Sequence, residues 1–95
     1  MLIRIVKMEF KADKLNAFKA LFKKAQPNIS AFKGCDNVEL YQDKNNPTIF
    51  FTYSHWINDE ALQNYRESDF FKKTWSETKL LFDNKPEAWS VDKID

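Results

Sequence analysis

Thr48-Ile49-Phe50-Phe51-Thr52-Tyr53-Ser54-His55-Trp56 decides how this chain folds. The stretch is β-branched and aromatic, the composition of a strand. Side chains alternate faces along a strand, so Phe50, Thr52, Ser54 and Trp56 share one face and Ile49, Phe51, Tyr53 and His55 the other. Neither face is charged. A small sheet with one wet face should alternate apolar with polar residues. This strand does not, so both sides of its sheet need cover. Helices can supply one side. In a chain of 95 residues, a second subunit is the natural cover for the other.

Working outward, Asp43-Lys44-Asn45-Asn46-Pro47 is turn chemistry. Before it, Val38 to Gln42 reads as a shorter strand, with Val38 and Leu40 on one face and Glu39 and Tyr41 on the other. The two strands should form a hairpin. Leu2 to Phe10 is a further strand, with Ile3 and Ile5 on one face and Val6, Met8 and Phe10 on the other. The helix-free face is expected to carry Val6, Met8, Phe51, Tyr53 and a terminal-strand aromatic.

Between these strands, Leu15, Phe18, Leu21, Phe22 and Ala25 recur at helical spacing. Asp13 is the candidate N-cap. Lys11, Lys14, Lys19, Lys23 and Lys24 read as the solvated face of this helix. Pro27 should kink it or begin a new short one, and Gly34, the single glycine, sits where a helix ends in a left-handed residue. After Trp56, Asn58 caps a helix carrying Leu62 and Tyr65, with Asp59 and Glu60 suiting its positive first turn. Ser68-Asp69 marks a second start, followed by Phe71, Trp75, Thr78 and Phe82. Pro86 is expected to stop that helix, and Ala88 to Ile94 to close the chain as a strand.

The order is strand, helix, strand, strand, helix, strand. This is the α+β, ferredoxin-like βαββαβ arrangement, a four-stranded antiparallel sheet with helices on one face. Residues 1–95 are expected to form one domain. Aromatic content is 16%, with nine Phe, an apolar load that dimerisation would help to bury. Net charge is +1, which gives no electrostatic case for nucleic acid or a membrane surface. The lone Cys35 permits no disulfide within the chain, no segment looks like a signal peptide or a membrane span, and a cytoplasmic location is the default expectation. One glycine cannot build a glycine-rich phosphate loop, which argues against nucleotide, flavin or nicotinamide cofactors held in the usual way.

Several segments resemble the antibiotic biosynthesis monooxygenase family: Arg4-Ile5-Val6-Lys7-Met8-Glu9-Phe10, Phe32-Lys33-Gly34-Cys35, Phe50 through Trp56, Glu60-Ala61-Leu62, Tyr65, Ser68-Asp69-Phe70-Phe71 and Lys85 through Val91. A Trp closing the third strand, then an acidic helix start and a Ser-x-x-Phe turn, is the most specific element. The resemblance implies a homodimeric α+β barrel with a pocket between sheet and helices in each subunit. It also implies a cofactor-independent monooxygenase that consumes molecular oxygen and a small electron-rich aromatic such as a hydroquinone. A non-enzymatic dimeric module for a small hydrophobic ligand is the alternative, and a heme-degrading relative a third. That third branch needs an Asn and a heme-ligating His where this chain has Lys7 and, approximately, Trp75.

On the resemblance, Trp56 is the pocket tryptophan. Thr52 stands where some members place an Asn that stabilises negative charge on an oxygenated substrate; Thr donates one hydrogen bond but lacks the amide geometry. Tyr53, Tyr65 and Trp75 are further candidates to line a pocket for a flat ligand, or to pack as core. His55 is the only histidine and the natural general base, although its parity turns it away from Trp56 toward the helix-free face. Arg66 is a candidate partner for a substrate anion or a solvated helix residue. Cys35 reads as an inert thiol.

Overall fold

A computed structural model describes residues 1–95. Its elements are β1 (Leu2–Phe10), a short 3-10 turn (Ala12–Lys14), α1 (Leu15–Ser30), β2 (Cys35–Gln42), β3 (Ile49–Trp56), α2 (Asp59–Arg66), α3 (Asp69–Lys79) and β4 (Phe82–Asp92). The four strands form one antiparallel sheet in the order β2-β3-β1-β4. All three helices follow from the apolar stripes of the sequence and bury them on one face of that sheet. The fold is the α+β, ferredoxin-like arrangement expected.

Register assigns the faces. Across β1 and β3, Val6 stands opposite Thr52, Met8 opposite Phe50 and Ile5 opposite Tyr53. Directly opposed residues share a face. Leu2, Met8, Phe10, Phe50 and Trp56 are all buried under the helices, and so that face also holds Arg4, Val6, Thr52 and Ser54. Val6 and Met8 therefore do not lie on the helix-free face as expected. Ile3 and Ile5 do, beside Phe51, Tyr53 and His55. Both parities of β1 are apolar, so only the pairing with β3 could decide between them. From β4, Trp89 and Val91 join the helix-free face opposite Ile5 and Ile3.

Local chemistry fixes the ends of the elements. Asn58 Oδ1 accepts from the Ala61 N–H at 2.8 Å and caps α2. Ser68 Oγ accepts from the Phe71 N–H at 3.1 Å, capping α3, and donates to the Tyr65 carbonyl at 2.6 Å. In the β2–β3 hairpin, Asp43 Oδ2 accepts from the N–H groups of Asn45 and Asn46 at 3.0 and 2.8 Å. Gly34 has φ of 85°, and a Cβ there would fall 2.5 Å from Ala61 Cβ. The backbone turn and the approach of α2 both require its missing side chain.

Two sequence expectations fail at element boundaries, at Asp13 and at Pro86. Asp13 is not the cap of α1: it lies inside the 3-10 turn, and α1 starts after Lys14 with no side-chain cap. Of the two outcomes expected at Pro27, a new short helix is not found, since α1 runs through it to Ser30. Pro27 and Lys23 are both exposed, so the carbonyl that Pro27 cannot serve is open to water. Pro86 does not stop α3, which ends at Lys79; Phe82 and Pro86 belong to β4, and the strand closes at Asp92 rather than Ile94. As an edge strand with a register shift opposite Lys7 and Glu9, β4 tolerates the missing N–H.

Candidate functional site

Packing of α1, α2 and α3 on the sheet leaves a cavity of about 360 Å³ on the helix-covered face. Interiors seldom hold voids much larger than a water molecule, and ligand pockets begin at roughly 300 Å³. The space is therefore of ligand size. Its walls are mostly apolar, including Val6, Met8, Phe22, Phe71 and Trp75. The helix pattern explains this: Phe18, Phe22, Ala25 and Ile29 form the inward stripe of α1.

Aromatic rings reinforce the wall in a continuous series. Phe18 stacks on Phe10 at 4.0 Å, and Phe10 meets Phe82 at 5.2 Å. Phe82 meets Trp75 edge-on at 5.5 Å, and Trp75 stacks on Phe71 at 5.9 Å. Phe71 meets Tyr65 at 5.0 Å, and Tyr65 stacks on Trp56 at 5.0 Å. Such contacts hold rings in fixed orientations, giving the cavity a stiff outline.

The sequence candidates divide between three places. Thr52, Tyr65 and Trp75 all line the cavity, brought together from β3, α2 and α3. Trp56 does not line it. Its ring is wholly buried behind Tyr65, and its indole N–H donates to Ser54 Oγ at 2.9 Å. It supports the wall from the core. Tyr53 and His55 stand on the opposite face of the sheet, where Tyr53 meets Tyr41 edge-on at 5.3 Å. Within one subunit neither reaches the cavity, because alternation along β3 sends odd and even positions to opposite sides.

The polar lining consists of Arg4, Thr52, Ser54, Arg66, Thr74, Thr78 and Glu87, with Tyr65 contributing a phenol. Thr78 is buried, and its hydroxyl donates to the Thr74 carbonyl at 2.7 Å. Burial, and secondarily the neighbouring Cys35, raises the Tyr65 phenol pKa well above its ordinary 10.0. Tyr65 therefore stays protonated and available as a donor. Cys35 is likewise raised, chiefly by burial, and its thiol donates to the Asn37 carbonyl at 3.7 Å, which agrees with an inert thiol. The Arg4 guanidinium is lowered, first by burial and then by the field of Arg66.

Sequence reading missed Arg4, whose place was hidden in a strand of ambiguous parity, and passed over the hydroxyls of Ser54, Thr74 and Thr78. No three His, Cys, Asp or Glu side chains converge as metal ligands. His55 is the single imidazole, and from the far side of the sheet it offers no axial ligand to a heme in this cavity. No helix is long and apolar enough to cross a membrane.

Comparison with known proteins agrees with this layout. The family model described as antibiotic biosynthesis monooxygenase matches residues 1–76. A conserved protein from Methanosarcina mazei Go1 shares 26% identity with a TM-score of 0.91, over 99% of this chain and 94% of that one. A structure described as an antibiotic biosynthesis monooxygenase has a TM-score of 0.93 at 16% identity, over the full length of both chains. A protein from Mycobacterium tuberculosis has a TM-score of 0.90 at 17% identity, over 99% of this chain and 95% of that one. No curated protein sequence matches the chain.

Proposed function

This chain belongs to the antibiotic biosynthesis monooxygenase family, and on that premise we propose that it oxidises a small electron-rich aromatic, of the hydroquinone class, in the cavity between sheet and helices. The observation that carries the reading is the ligand-sized, aromatic-walled space with a mostly apolar lining. A hydroquinone anion can pass an electron to molecular oxygen without a cofactor. One oxygen atom then enters the ring as a hydroxyl, displacing hydrogen, and the other leaves as water. The electrons come from the substrate, which ends as a hydroxylated quinone.

The protein's part is to exclude water, hold the ring flat and donate hydrogen bonds to developing negative charge. Trp75 and Phe71 serve as ring contacts. Thr52 and Tyr65 serve as donors, with Trp56 fixing Tyr65 from behind. His55 has no role within its own subunit's cavity. The test is oxygen uptake by purified protein across a hydroquinone panel, without added metal or flavin. Uptake above the buffer control, reduced several-fold by Tyr65→Phe or by Trp75→Ala, is expected. Uptake equal to buffer with every quinol contradicts the reading.

The working unit we propose is a homodimer joined through the helix-free sheet faces. Supporting it, Tyr41, Trp89 and Val91 on that face are 48%, 44% and 39% exposed in the single chain, beside half-buried Ile5, Phe51 and Tyr53. Exposed apolar side chains grouped on one sheet face, here interrupted by Lys7 and Glu39, support such an interaction surface.

A second reading, binding without turnover, is favoured by one observation. No histidine, aspartate or lysine lines the cavity, and the one carboxylate residue along it, Glu87, has the strand parity of the helix-free face, so no side chain there is placed as a general base. Ligands of the same class would then raise the melting temperature with no oxygen consumed.

A further inference from the structure

The cavity carries two arginines and no opposing acid on its own face. Arg4 comes from β1, on the helix-covered parity with Val6 and Met8, and Arg66 is the last residue of α2. Both line the same space. Glu87 is the single carboxylate residue along the lining. It stands opposite Lys7 in the sheet register, on the parity of Trp89 and Val91, and so its side chain belongs to the helix-free face. One edge of the Arg4 guanidinium is held by Ser90 Oγ at 3.0 Å. A guanidinium has five donors, and so most of its fork remains free.

Two like charges at one apolar space repel each other. Arg4 and Arg66 share one lining, and each lies in the field of the other. Arginine pairs of this kind are matched by a planar anion that takes both forks, and carboxylate is the geometry that suits them. Arg66 is exposed and Arg4 half-buried, which puts the charge at the open side of the cavity and the aromatic wall deeper in.

We infer that the ligand is an aromatic carboxylate, its ring among Phe22, Phe71 and Trp75 and its carboxylate at the mouth between Arg4 and Arg66. This rests on the cavity being the ligand site and refines the substrate class proposed for it. It makes the two arginines binding residues, with no part in the transfer of electrons to oxygen.

Calorimetric titration with naphthoate and with its methyl ester tests the inference, because the pair share a ring and differ in charge. One charge-assisted contact of this type is worth about ten-fold in affinity. Naphthoate should therefore bind at least about ten-fold tighter than the ester. Arg66→Gln, at an exposed position that does not endanger the fold, should remove most of that advantage while leaving ester binding unchanged. Arg66→Lys should restore part of it. Equal affinity of acid and ester, failure of both to bind, or equal loss of both in Arg66→Gln would overturn the inference. Oxygen uptake separates it from the parent reading. Quinol oxidation that continues while acid and ester bind alike ends the carboxylate assignment alone. Preferential carboxylate binding with no oxygen uptake from any hydroquinone, carboxylated or not, ends the oxidation alone.

Discussion

The two faces of the sheet are nearly equal in apolar content but differ in what covers them. On the helix side, Phe10, Phe50 and Trp56 are almost completely buried, and rings contact one another from Phe18 round to Trp56. On the other side, Phe51, Tyr53 and His55 are half-buried and Trp89 is 44% exposed. The same strand, β3, feeds both. Strand composition alone therefore does not decide a residue's task. The covered face provides stability and a chamber; the uncovered face is the one through which we propose that two copies join.

If that division holds, truncation on the two faces should have unlike consequences. Trp56→Ala should have the largest effect, about 3–5 kcal/mol of folding stability, from a cavity left in packed core; chemical denaturation measures it. Gly34→Ala comes next, at about 1–3 kcal/mol, because φ of 85° and the 2.5 Å approach to Ala61 Cβ both oppose a side chain. Thermal melts against the parent chain check this value.

Trp89→Lys, on the uncovered face, should change the stability of a single chain by no more than about 0.5 kcal/mol. It should nonetheless convert a dimer to an 11.3 kDa species in sedimentation equilibrium. A variant that stays dimeric would detach the uncovered face from assembly.

The smallest effect concerns alkaline pH. Burial raises the Tyr65 phenol above its ordinary 10.0, so the folded chain holds that proton more tightly than the unfolded one. The resulting stability is complete below pH 10.0 and is lost as pH rises beyond it. Tyr65→Phe should thus lose less melting temperature than the parent between neutral pH and about pH 11.5.

Much of the fold was legible because its signals are local. The Asn58 and Ser68 caps, the Asp43–Pro47 turn and the inward stripe of α1 depend on residues within a few positions of one another. The family is legible from the same segments, Phe50 to Trp56 above all. Face assignment in β1 was not local: Val6 and Ile5 are equally apolar, and only pairing with β3 separates them. Pro86 misled for a related reason, since its tolerance in β4 depends on that strand being an edge. The site was half legible. Parity on β3 correctly turned His55 away from Trp56 and grouped Thr52 with it. It could not show that Tyr65 would screen Trp56 from the cavity, nor that Arg4 and Arg66, distant in sequence, would line one space.

The division of labour between the faces can be read from the indole N–H signals of the three tryptophans during a nuclear magnetic resonance titration with naphthol, an aromatic that carries no carboxylate. Trp75 lines the cavity, Trp89 lies on the uncovered face, and Trp56 is bonded to Ser54 behind Tyr65. The Trp75 signal should move with saturation while the Trp89 signal stays fixed. Movement of Trp89 with Trp75 unchanged would place the ligand on the wrong side of the sheet and contradict the account.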